Sequence, residues 1–153
     1  MSSIEEVIKS KPIKNAYQRA TLNILQTASW LQGRITHALK PFDISEPQFN
    51  VLRILRGQEG KAMNLYEIQD RMVQKESNVS RIIDKLVEKH YVLRKACKDN
   101  RRRVDIFITD KGLKLLGEAD PVMETLMKEI FEDVKKDKVK TLSKILDELR
   151  EEQ

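Results

Sequence analysis

Apolar positions recur along this chain at helical intervals, and the stretch from 64 to 109 shows the pattern most sharply. Val79, Ile82, Ile83, Leu86 and Val87 fall at i, i+3, i+4, i+7 and i+8, which lays one apolar stripe along a helix. The opposite face carries Ser77, Asn78, Ser80, Arg81 and Lys85, so short polar groups and long cations project together. A polar helix face is ordinarily just solvated surface. What shifts the balance is the segment before it, where Asn64 and Glu67 have the spacing of a capping box and Leu65, Ile68 and Met72 repeat helically. Two short helices joined by a tight connection make a helix-turn-helix candidate.

The period then changes. Val92 to Cys97 and Val104 to Thr109 read as strands, the second alternating Val104, Ile106 and Ile108 against Asp105, Phe107 and Thr109. Between them Lys98-Asp99-Asn100-Arg101-Arg102-Arg103 combines turn chemistry with three guanidinium groups on a protruding tip. The ribbon is a wing.

The flanks read as long helices. From about Ile13 to Lys40, Ala20, Ile24, Ala28, Leu31, Ile35 and Leu39 repeat at three- and four-residue steps, and Pro41 ends the run. A helix of about 28 residues spans about 42 Å, longer than a small domain covers by itself. Ser45, Pro47 and Gln48 mark a second start, with Phe49, Leu52 and Leu55 as its apolar face and Gly57 as its stop. After the wing, Thr109 caps a third long segment carrying Leu113, Leu116, Val122, Met123, Leu126, Met127, Ile130 and Phe131, with a kink expected at Pro121. A last helix from about Asp137 sets Val139, Leu142, Ile145, Leu146 and Leu149 in register. The terminal helices carry more apolar face than a monomer needs, which predicts a two-fold dimer built from residues 13–40 and 110–153 around a reading head at 45–109. The fold class is mainly α with a small β-ribbon, a winged helix-turn-helix region joined to a helical dimerisation region.

Charge sharpens the picture. The 153-residue chain has a formal net charge of +5. Between Arg71 and Arg103, however, eleven Lys/Arg face four Asp/Glu, a local +7, whereas residues 110–153 carry −3. A positive block on such a unit is the footprint of phosphate binding. Composition adds bounds: 40% hydrophobic and 35% charged residues with few Gly and Pro describe one helix-rich globular domain over 1–153. There is no membrane-length apolar run and no signal-peptide core, so the expected location is the cytoplasm. The single cysteine, Cys97, agrees with a reducing compartment.

At three places the residues resemble the MarR family of winged helix-turn-helix transcriptional regulators. Ser45 to Leu52 is similar to that family's second-helix motif, Ser77 to Leu86 to its recognition helix, and Asn100-Arg101-Arg102 through Ile108-Thr109-Asp110-Lys111-Gly112 to its wing and the following helix start. The resemblance implies a homodimer on pseudo-palindromic double-stranded DNA, usually a repressor, often released by a small aromatic or anionic effector. Two positions depart from the pattern. Asn100 stands where the family has an Asp, so the Asp–Arg pair bracing the tip is either taken over by Asp99 or absent. His90 replaces a glycine common after the recognition helix, which makes a left-handed cap less comfortable.

The expected DNA-binding residues are Lys75, Ser77, Asn78, Ser80, Arg81 and Lys85 on the helix-turn-helix, with Arg101, Arg102 and Arg103 on the wing. Arginine suits guanine O6/N7 and asparagine suits adenine N6/N7 in the major groove. Wing arginines read phosphates and groove width. Trp30, His37 and Phe49 are candidates for an effector pocket, although aromatics at helical spacing are more often core. His37 and His90 have no metal-ligand spacing and no cofactor is expected. Cys97, in the first wing strand rather than on the first helix where peroxide-sensing relatives keep theirs, reads as a packed thiol. No nucleophile–base pair, phosphate loop or paired carboxylates suggest an enzyme. The competing reading is a helical dimeric interaction protein whose basic surface is solvated or meets RNA or an acidic partner.

Overall fold

The structure, a computed structural model, describes residues 2–151, which divide along the chain into two compact bodies, the first ending at Glu46 and the second starting at Pro47. In the first body a short helix α1 (Ile4–Val7) opens on a capping box: Ser3 Oγ accepts the Glu6 N–H, and the Glu6 carboxylate accepts the Ser3 N–H. The Arg19 guanidinium donates to the Glu5 carboxylate at 2.8 and 3.2 Å, joining α1 to α2 (Ala16–Leu39). That long helix begins later than Ile13 because Asn15 is the residue able to cap it, its Oδ1 accepting the Gln18 N–H at 3.0 Å. It ends at Leu39 in a 3₁₀ turn, Lys40–Phe42, that contains Pro41.

The second body begins within α3 (Glu46–Arg56), which buries Phe49, Val51, Leu52 and Leu55. After a turn through Glu59 and Gly60, both at positive φ, Met63 exchanges backbone hydrogen bonds with Ile106 and adds one rung beside the wing. Then come α4 (Leu65–Arg71), α5 (Val79–Glu88) and the antiparallel strands β1 (Val92–Ala96) and β2 (Val104–Ile108), with Val92 opposite Ile108 and Ala96 opposite Val104. Ile68, Met72, Val79, Ile83, Leu86, Val92 and Ile106 are all buried, so each of these elements supplies side chains to the core. Burying a side chain of this size stabilises by about 1.5–3 kcal/mol.

Helix α6 (Asp110–Ile130) is capped by Thr109, whose Oγ1 accepts the Gly112 N–H. It runs on through Pro121, the position where a kink was expected and where the proline cannot donate to the Gly117 carbonyl. Its buried positions include Leu115 and Ala119, while Leu113, assigned from the pattern to the apolar face, is exposed. The last helix, α7 (Lys136–Arg150), buries none of its residues: Leu142, Ile145 and Leu149 remain 48%, 48% and 65% exposed. No helix among the described residues is long and apolar enough to cross a membrane.

Candidate nucleic-acid interface

Helix α5 forms where the pattern places it because its first turn has a cap and its stripe has a core to meet. Val79, Ile83 and Leu86 are buried, which turns Ser80, Arg81 and Lys85 outward; Asn78, at the N-cap, is exposed beside them. The Asn78 Oδ1 accepts the Arg81 N–H at 3.1 Å, so one half of its amide is spent on the helix start and only the amino group is left for a ligand. Lys85 leans 3.1 Å from Glu88, an exposed pair of little energetic weight. Ser77 is half-buried just ahead of the cap.

The connector from α4 to α5 spans residues 72–78, longer than the tight joint expected, and is held at three points. The Val73 N–H donates to Asn50 Oδ1 at 3.0 Å, Gln69 Nε2 donates to the Lys75 carbonyl at 2.6 Å, and the Lys75 ammonium donates to the Asp70 carbonyl. Lys75 is therefore engaged in closing the connector. Asn50 was invisible as a functional residue in the sequence, since nothing in a helical motif says that its side chain reaches across to another segment's backbone.

At its far end α5 closes with a left-handed residue. His90 has φ 61°, its N–H donates to the Val87 carbonyl at 3.0 Å, and the Tyr91 N–H donates to the Leu86 carbonyl at 3.0 Å. This is the Schellman pattern that glycine normally completes, here achieved by a residue with a Cβ. The base of the wing packs directly onto that cap. Thr109 Oγ1 donates to the His90 carbonyl at 2.7 Å, and Lys111 donates to the Lys89 carbonyl at 3.1 Å while its ammonium sits 5.0 Å from the Tyr91 ring centre. A Cβ on Gly112 would lie 2.4 Å from the Tyr91 carbonyl oxygen, so only glycine permits this approach.

The wing tip has its own construction. Asn100 Oδ1 accepts the Arg102 N–H at 3.0 Å and the Asn100 carbonyl accepts the Arg103 N–H at 2.9 Å, while the Cys97 N–H donates to the Arg103 carbonyl. Cys97 lies just past the end of β1, half-buried, with its backbone extending the ladder. Arg101 and Arg102 are exposed and enter no ion pair among the described residues, and the same holds for Arg81. Arg103 differs. Its Nε donates to Asp105 Oδ1 at 3.1 Å and its Nη2 lies 4.0 Å from Glu67 Oε2, so the tip is braced through Asp105 rather than through Asp99. The i, i+2 spacing of Arg103 and Asp105, which puts both on one strand face, was the available signal. Arg94 pairs with Asp84 and ties β1 to α5.

The remaining candidates belong to both bodies. Trp30 and His37 are exposed on α2, with the Arg34 guanidinium 5.7 Å from the Trp30 ring centre, and Phe49 is buried on α3. Among the described residues no cluster of His, Cys, Asp or Glu is placed to hold a metal ion.

The MarR family model matches residues 44–104, the stretch from the start of α3 to the beginning of β2. Solved structures agree in fold. A MarR transcription factor from Planctomyces limnophilus is 26% identical, with a TM-score of 0.70 over 89% of this chain and 98% of that one. A variant of E. coli MarR complexed with operator DNA is 22% identical, with a TM-score of 0.74 over 84% of this chain and 91% of that one. The organohalide-sensing regulator RdhR in its 2,4-dichlorophenol-bound form is 20% identical, with a TM-score of 0.82 over 92% and 85%.

Proposed function

We propose, from the premise that residues 44–104 form a MarR-family winged-helix domain, that this chain is a sequence-specific double-stranded DNA-binding transcriptional regulator. In this reading it acts without enzymatic chemistry as a cytoplasmic homodimeric repressor on a pseudo-palindromic operator. The observation that carries the reading is that Arg81 on α5 and Arg101 and Arg102 on the wing tip are exposed without acidic partners among the described residues, whereas Arg94 and Arg103 of the same unit are held by carboxylates. Exposed charge left unpaired on both a helix N-terminal turn and a β-tip suits a polyanion whose grooves repeat. Ser77, Ser80, Arg81 and the free half of Asn78 meet base edges in the major groove, and Arg101 and Arg102 meet the adjacent minor groove.

Dimerisation is supported by the bare apolar faces of α7 and of α2, where Ile24, Leu25 and Trp30 are exposed. Two heads about 34 Å apart then read an inverted repeat. Release by a small effector belongs to the same reading, and the relative solved with 2,4-dichlorophenol bound supports it. Filter binding to duplex DNA from upstream of the protein's own gene, titrated with salt, tests the proposal. Specific, salt-sensitive binding is expected, with Arg102→Ala lowering the log–log salt slope by about 1 and Arg81→Ala chiefly eroding preference for the specific site. Absence of duplex binding across genomic fragments would favour a dimeric interaction protein instead.

A further inference from the structure

A cleft of about 410 Å³ separates the first turn of α4 from the wing tip, walled by Asn64, Leu65 and Tyr66 on one side and by Asn100, Arg102 and Val104 on the other. Arg103 also lines it and is the side chain that spans it. On the wing side its Nε is held by Asp105; on the helix side its Nη2 approaches Glu67 Oε2, the same oxygen that accepts the Asn64 N–H at 2.8 Å and completes the α4 capping box. One guanidinium thus links a strand residue to the carboxylate that starts α4.

Resting on the DNA-binding reading above, the geometry points to Arg103 as a positioning residue rather than a DNA contact. Clasped between Asp105 and Glu67, it fixes the wing tip relative to the helix-turn-helix so that Arg101 and Arg102, which have no such partners, arrive at the duplex in register. Two features of the chain agree with this division of labour. The Asn100 side chain is spent on the Arg102 amide and carries no charge, so it leaves the bracing to Asp105. Arg103, Glu67 and Asp105 are partly exposed, at 43%, 43% and 21%, so the clasp is weak enough to be tuned by substitution without unfolding the core.

The sign of the effect separates bracing from contact. A carboxylate near a polyanion repels it, so if Arg103 only touches phosphate, neutralising Glu67 or Asp105 tightens binding. If Arg103 braces, the same changes loosen it. Glu67→Gln is the clean variant, because glutamine retains the capping hydrogen bond and loses the charge; Asp105→Asn is its counterpart on the wing. With a duplex from upstream of the protein's own gene as probe, each is expected to weaken binding about threefold at an unchanged salt slope. Arg103→Ala should do the same. In the DNA-free protein the Cys97 and Arg103 amides, which close the tip, should exchange with solvent faster in both carboxylate variants. A salt slope lowered by about 1 in Arg103→Ala, or tighter binding in Glu67→Gln and Asp105→Asn with unchanged exchange, overturns the proposal. Faster exchange in a protein whose parent binds no duplex keeps the clasp and removes the DNA reading.

Discussion

Helices α5 and α7 are written in the same code and end in opposite situations. Each sets apolar residues at three- and four-residue steps; α5, with ten residues, buries Val79, Ile83 and Leu86, while α7, with fifteen, buries none. The stripe of α5 meets α4 and the base of the wing within its own chain. The stripe of α7 stays largely open, with Leu142, Ile145 and Leu149 exposed and only Val139 and Leu146 half-covered. A hydrophobic pattern therefore specifies which face seeks cover and is silent about what provides it, and the contrast between the two helices separates an intrachain core from a bare apolar face, which the proposed dimer would cover with a second copy.

The strongest way to break that comparison is to charge the bare face. Leu142→Glu combined with Ile145→Glu should leave helical content unchanged, since both side chains are half-exposed in the single chain. It should convert a dimer to a monomer in sedimentation and, by uncoupling the two heads, lower operator affinity by about 10²-fold or more. A double variant that still sediments as a dimer would show that α7 is solvated and that its stripe has no partner.

Truncation inside the two stripes gives the next effect. Leu86→Ala removes a fully buried side chain and should cost about 2–5 kcal/mol in urea unfolding. Leu149→Ala, measured at a dilution where the chain is monomeric, should stay within about 0.5 kcal/mol of the parent. Equal losses at the two positions would erase the distinction drawn between the helices.

How much of this was legible in the sequence follows the same division. The α5 stripe, the Asn64–Glu67 capping box, the Thr109 cap and the wing strands could be read because each rests on residues at fixed short spacing. The connector contacts, Asn50 to Val73 and Lys75 to Asp70, and the clasp of Arg103 by Glu67 could not, because they depend on where separate elements arrive in space. Counting cations located the basic block but gave all three tip arginines one role, whereas pairing sets Arg103 apart from Arg101 and Arg102. The start of α2 was misplaced by a cap, Asn15, that apolar periodicity does not register. Leu113, placed on the apolar face of α6 by its spacing, is exposed in the single chain.

A smaller effect sharpens the account of α5 at its end. His90 is held at φ 61° in a cap that glycine adopts without steric cost, and the left-handed conformation costs a residue with a Cβ about 1–2 kcal/mol. Against this stands the extra chain entropy that glycine loses on folding. His90→Gly should raise stability by about 0.5–1 kcal/mol, seen as a higher urea midpoint at constant slope. A lower midpoint would mean that the imidazole contributes packing that its backbone strain conceals.

The slightest expected change lies in the N-terminal body, where an ion pair joins α1 to α2. The Arg19 hydrogen bond, aided by a backbone donor, lowers the Glu5 pKa from 4.5 to about 2. A carboxyl whose folded pKa lies below its unfolded value adds stability that is fully present above about pH 4.5 and lost as pH falls toward 2. Acidification through that window should therefore free α1 from α2, with the Glu5 carboxyl resonance titrating near 2 and moving back toward 4.5 in Arg19→Ala. Because the pair is open to solvent on the Arg19 side, added salt should narrow the shift. A Glu5 midpoint near 4.5 in the parent would show that α1 is held by the buried Ile4 alone, making even this segment an instance of burial rather than of charge.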